Sequence, residues 1–226
     1  MITPNALYPG DRPRFVEGWH DIGRFNGNVD IRYLAVQSLC RIVDLSQQAA
    51  EELGESHRGF KVGCAAYAVD EPGKRVGIYF GGNFTPYEGA PWNCAEKRAL
   101  ETIQARGFNK VLAMAISGPL QVDASGVESP TLHPCYRCRP MFEQSELTSP
   151  DMLVATVTPA GDAHELHTLG SLLKRHQTGQ EQPFPDFHPL LPFYWQQLLS
   201  YDAEDEKADL ARLDLMAKAA NPDFRQ

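Results

Sequence analysis

A chain of 226 residues with 42% hydrophobic and 22% charged side chains has the make-up of an ordinary globular protein, long enough for one core with additions. Its formal net charge of -8 argues against a protein that grips a phosphate backbone over a broad surface. No apolar run approaches the ~18 residues of a membrane span, and Met1 to Asp11 lacks a signal-peptide pattern. Five cysteines are too few and too unevenly placed for a disulfide framework, so a reducing, cytoplasmic setting is expected.

Residues 1–29 are rich in Pro, Gly, Asn and scattered aromatics (Tyr8, Phe15, Trp19, Phe25), which predicts an ordered extension laid over a core. From Asp30 to about Leu53, apolar residues recur at helical spacing, with Asp30 as N-cap and Gly54 as stop; a long amphipathic helix is predicted. Lys61 to Asp70 and Arg75 to Gly82 are strand-like runs flanking Glu71-Pro72-Gly73-Lys74, a turn signal, and predict a β-hairpin. A loop broken by Pro86, Gly89 and Pro91 leads to Cys94. A helix over Cys94 to Arg106 follows, then a strand at Val111 to Ser117. The second cysteine motif is expected to open another helix at Pro134, and Met152 to Thr158 and Glu165 to Leu169 read as strands. Helices interleaved with about five strands imply a three-layer α/β/α sandwich on a mixed sheet. Residues 30–177 form the predicted core domain, and 178–226 a helical extension over Pro192 to Leu199 and Ala203 to Ala220.

Cys94, with Glu96 two residues on, is answered by Cys135 and Cys138. A catalytic zinc takes three protein ligands and keeps the fourth tetrahedral position for water. The three thiols supply that set, and Glu96 stands close enough to touch such a water without binding the metal. Both motifs fall at predicted helix N-termini, where the macrodipole favours negative charge. A structural zinc site would need a fourth protein ligand, for which His133 and Cys64 are the candidates, although Cys64 lies in an apolar strand pattern. His164 and His167 are expected to be solvated strand histidines, and Cys40 a core residue of the first helix.

Cys94-Ala95-Glu96 followed by Pro134-Cys135-Tyr136-Arg137-Cys138 resembles the cytidine deaminase superfamily, in the three-cysteine form of the short cytidine deaminases and blasticidin S deaminase. Phe60 to Ala65, Gly82-Asn83 and Thr168 to Leu173 are similar to further family segments, so the match spans about residues 31–175. The resemblance implies zinc (Zn2+) held by Cys94, Cys135 and Cys138, with Glu96 as the catalytic acid/base. It implies substrate contacts at Phe60, Asn83, Thr85 and the backbone around Ala95, and charge compensation of the thiolates by Lys97 and Arg139. It also implies a small-molecule substrate and a homo-oligomer, dimer or tetramer. Thr85 stands where nucleoside enzymes carry a glutamate for the ribose hydroxyl, Glu88 being the nearest carboxylate. Lys97 replaces the usual arginine and loses its planar fork.

The expected activity is hydrolytic deamination of a small aminopyrimidine nucleoside or nucleoside-like compound, Glu96 moving protons from the attacking water to the ring nitrogen and the departing ammonia. A modified or antibiotic-like nucleoside is the alternative substrate, and a non-catalytic zinc-stabilised binding protein the alternative from another class. Phe184, Phe187, Phe193, Tyr194 and Trp195 are candidates to line a pocket, by position and aromaticity alone.

Overall fold

The computed structural model describes residues 18–26, 28–91, 93–120, 129–180, 184 and 187–199. Tyr8, Phe15 and the helix expected over Ala203 to Ala220 lie outside the described residues. Asp30 caps helix α1 (Ile31–Leu53), its carboxylate accepting the Arg32 amide at 2.9 Å, and Gly54 ends it. The predicted hairpin forms from β3 (Gly63–Asp70) and β4 (Arg75–Gly82), paired antiparallel from Gly63 opposite Gly82 to Asp70 opposite Arg75.

The main sheet has six strands, ordered β1-β4-β3-β6-β7-β8. Strand β6 (Lys110–Ser117) runs antiparallel to β3 and parallel to β7 (Leu153–Val157), and β8 (His164–Thr168) closes one edge antiparallel to β7. The opposite edge is β1 (Gly18–Arg24), paired antiparallel with β4 inside what the sequence predicts as an extension. Most of its residues are exposed and no apolar alternation marks it, so it becomes a strand because β4 offers a free edge. A short parallel pair, β2 (Glu55–Ser56) with β5 (Phe84–Thr85), stands apart from the main sheet.

Alternation along β3 sorts the core. Ala65, Tyr67 and Val69 face α1, whose Val36, Leu39, Ile42 and Val43 are almost completely buried. Each of those α1 side chains contributes roughly 1.5–3 kcal/mol by leaving water. Cys64, Ala66 and Ala68 face the other way, toward α2 (Ala95–Ala105), α3 (Cys138–Gln144) and α4 (Leu169–Thr178). A register shift between Tyr67 and Ala68 accommodates one extra β6 residue, which puts Leu112 and Ala113 on the same face. Gly63 is needed where β3 meets α1: a Cβ there would lie 2.0 Å from the Ser46 carbonyl oxygen and 2.2 Å from the Ala50 nitrogen.

Helix α5 (Leu191–Leu199) lies against α1, with Leu191 and Tyr194 buried in that core and Phe187, Phe193 and Trp195 packed around it. This corrects the pocket-lining expectation, because these aromatics sit on the sheet face opposite the cysteines, while Phe184 is exposed. No helix among the described residues is long and apolar enough to cross a membrane.

Candidate metal centre and active site

The site forms at the end of the sheet where Gly63 pairs with both Gly82 and Ser117. The loop leaving β5 folds back on itself, the Phe84 amide donating to the Asn93 carbonyl at 3.0 Å, and so delivers the chain to α2. Cys94 is the extended N-cap of α2 and makes no side-chain cap bond, which leaves its sulfur for other partners. Arg98 Nη1 donates to the Gly82 carbonyl at 2.8 Å and ties α2 to the end of β4. The helix buries Ala95, Ala99, Leu100 and Ile103, and with them Glu96, a carboxylate only 4% exposed.

Pro134 does not open an α-helix, contrary to expectation. Residues 136–137 form a turn and α3 begins at Cys138. The Cys135 carbonyl accepts the amides of Cys138 at 2.9 Å and Arg139 at 3.1 Å, so a tight turn, rather than one helix face, brings the two cysteines together. The sulfurs of Cys94, Cys135 and Cys138 all lie within 4.8 Å of one another, Cys94 and Cys135 at 3.8 Å. Three sulfur donors at this mutual spacing fit tetrahedral zinc. Neither proposed fourth ligand joins them: Cys64 stays in the β3 core and His133 turns to other partners.

Without a metal, three adjacent thiols cannot all ionise. Hydrogen bonds from Cys138 and Cys94 hold the Cys135 thiol far below the usual range, and the same contacts push the other two up. Burial pushes the Glu96 carboxyl up to about 7, the Cys135 charge adding to the shift and bonds to its own backbone amide and Cys138 opposing it. A carboxyl poised there can take and return a proton near neutral pH.

The remaining predicted residues divide. Ala95 is fully buried at the α2 N-terminus, and Phe60 is half-buried against the same core cluster as Cys94 and Cys135. Asn83 is buried but its amide is engaged with backbone, Oδ1 accepting from the Val62 amide at 2.8 Å and Nδ2 donating to the Phe60 carbonyl at 2.9 Å. Thr85 pairs with Ser56 through β5, and its carbonyl accepts the His57 amide at 2.9 Å; Glu88 is exposed in the following loop. Lys97 forms a surface pair with Glu101, Nζ to Oε1 at 3.4 Å. Arg139 is at the cysteine turn itself, Nη1 donating to the Pro134 carbonyl at 3.0 Å.

No protein-family model and no curated protein matches the chain. Among solved structures, it is similar to a cytidine deaminase from Burkholderia pseudomallei at 26% identity, over 58% of this chain and 93% of that one, with a TM-score of 0.46. A cytidine deaminase from Mycobacterium leprae aligns at 24% identity over 59% of this chain and 94% of that one, with a TM-score of 0.37.

Beside the cysteine turn lies a polar cluster that the sequence reading missed. Glu165 accepts from Ser129, Thr131 and Arg175, and its Oε2 is 3.1 Å from His133 Nε2. His133 Nδ1 is 3.0 Å from His176 Nε2, and His176 Nδ1 is 3.2 Å from Arg139 Nη1. His167 shares the β8 face of Glu165 and is half-buried, while His164 points to the α5 side near Trp195; neither is the solvated strand histidine expected. The period-two placement of Glu165 and His167 on one face of β8 was the available signal.

Proposed function

We propose that the chain is a zinc-dependent hydrolytic deaminase of a small aminopyrimidine nucleoside or a nucleoside-like compound. The observation that carries this is a buried carboxyl, Glu96, raised to about 7 beside three sulfurs within 4.8 Å of one another. No fourth metal-ligating side chain belongs to that group among the described residues, which favours an open, catalytic site over a closed structural one.

When bound by Cys94, Cys135 and Cys138, zinc supplies Lewis-acid activation of water at neutral pH. Glu96 accepts the proton of the attacking water as a C–O bond forms at the amine-bearing ring carbon. It passes that proton to the ring nitrogen, then takes the second proton from the newly formed C–OH group and gives it to the leaving nitrogen, so that the C–N bond breaks, ammonia departs and the carbonyl forms. Burial keeps bulk water from competing for those transfers. Backbone groups at Ala95 and Cys135 line the place for the base, and half-buried Phe60 borders it.

One observation favours a substrate other than plain cytidine. Thr85 replaces the expected ribose-binding carboxylate and is held in the β2–β5 pair, while Glu88 is exposed in the loop that follows. A modified nucleoside that lacks or masks the ribose hydroxyl suits this arrangement better.

Zinc-loaded protein is to be incubated with cytidine, deoxycytidine, free cytosine and related amino-heterocycles, with ammonia release followed. Release from at least one compound, lost in Glu96→Gln with zinc content kept, is expected. A zinc-bound protein that releases ammonia from none of them points instead to a binding protein.

A further inference from the structure

We infer that Glu165, His133, His176 and Arg139 form a one-way hydrogen-bond relay that positions the Cys135–Cys138 turn, and that His176 is a positioning residue for the metal centre. This rests on reading the three cysteines as zinc ligands.

The direction follows from donor counting. A guanidinium can only donate, so His176 Nδ1, 3.2 Å from Arg139 Nη1, must accept. A neutral His176 then carries its proton on Nε2, which donates to His133 Nδ1 at 3.0 Å. His133 is thereby left with its proton on Nε2, shared between Ser129 Oγ at 2.9 Å and Glu165 Oε2 at 3.1 Å, the Ser129 hydroxyl passing its own proton on to Glu165. An ionised carboxylate accepts only, and Glu165 ends the relay while also receiving Ser129, Thr131 and Arg175.

At the other end, Arg139 grips two successive carbonyls. Its side chain donates to Pro134 and its amide to Cys135, so the peptide that carries the Cys135 sulfur is held on both sides. The relay therefore connects β8 and α4 to the cysteine turn. Groups that orient a ligand-bearing segment in this way tune metal affinity without touching the metal.

The same cluster has a competing reading as a second metal site, since donor atoms of His133, Glu165 and His167 lie within 4.8 Å of one another. A cation on His133 Nε2 would move that ring's proton to Nδ1 and, through His176, set two donors facing each other at Arg139. Arg175, 3.1 Å from Glu165, already places positive charge there. The relay satisfies these groups without that conflict.

The test compares His176→Gln with His176→Leu in the full chain. Glutamine offers one acceptor and one donor and can continue the relay, whereas leucine cannot. Zinc stoichiometry, zinc affinity by chelator competition, the visible spectrum of the cobalt(II)-loaded protein and the melting temperature with and without zinc are measured. Wild type should hold one zinc per chain. The leucine variant should lose about 10- to 100-fold in affinity, shift the cobalt–thiolate bands and gain less stability from zinc, while the glutamine variant stays near wild type. Lowered stability with unchanged affinity and spectrum would show a purely structural role and overturn the inference, as would equal effects of both variants or two metals per chain. A wild type that binds no zinc overturns the zinc reading itself, whereas a zinc-binding wild type with an indifferent leucine variant overturns the relay alone.

Discussion

The Asn83 side chain grips the backbone of Val62, its Oδ1 2.8 Å from that amide nitrogen, and its Nδ2 reaches the Phe60 carbonyl at 2.9 Å. The asparagine for which the resemblance implies a substrate contact is thus the clasp between the end of β4 and the segment entering β3. Asn83→Ala leaves both backbone groups without these partners and should cost about 1–3 kcal/mol in urea unfolding. A variant as stable as wild type would show that the clasp contributes little.

The buried Glu96 carboxyl makes stability depend on pH. Its pKa rises from 4.5 in the unfolded chain to about 7 in the folded one. Between those values the unfolded chain loses the proton and the folded chain keeps it, so stability falls as pH rises through that window, by about 3 kcal/mol in total. Metal-free Glu96→Gln should therefore resist urea better than metal-free wild type at pH 7.5, with the advantage vanishing toward pH 4.5. Parallel stability curves for the two proteins across that range would contradict this.

Gly63 admits α1 to the sheet. The Cβ of Gly63→Ala would collide with the Ser46 carbonyl oxygen and Ala50 nitrogen, backbone atoms that move only with the helix. A loss of about 3 kcal/mol or more is expected from thermal or chemical unfolding.

Tyr194 is 2% exposed and packs in the α1 core, on the sheet face away from the cysteines. Tyr194→Ala should cost about 3–5 kcal/mol and leave zinc affinity unchanged at temperatures where the variant is folded. A fall in zinc affinity matching the loss of stability would tie α5 to the site after all.

Much of this architecture was legible where local signals agree with tertiary demand. Asp30 and Gly54 bracket α1 because a cap and a stop coincide with an apolar stripe, and Pro72-Gly73 separates two strands that pair in full register. Strand β1 was not legible, since most of its residues are exposed and Trp19 alone among its apolar side chains packs on a core cluster, which leaves no alternation to read. The cysteine spacing identified the cluster but not its support. A proline before Cys135 suits a helix start and a turn equally, and only the paired amides on the Cys135 carbonyl distinguish them. The partners of Glu165 come from a loop, its own strand and a helix, Ser129, Thr131 and His133 meeting it with His167 and Arg175, and no single-segment pattern encodes such a meeting.

The 3.8 Å between the Cys94 and Cys135 sulfurs carries a hazard as well as an opportunity. A disulfide needs about 2.05 Å, a gap that a small movement of the Cys135 turn closes. Stripped of metal and met by peroxide, the two sulfurs can couple, and two of the three donors are lost together. A zinc ion on the proposed ligands would protect the thiols from oxidation, so the lifetime of the site in an oxidising medium would depend on how slowly the ion is released.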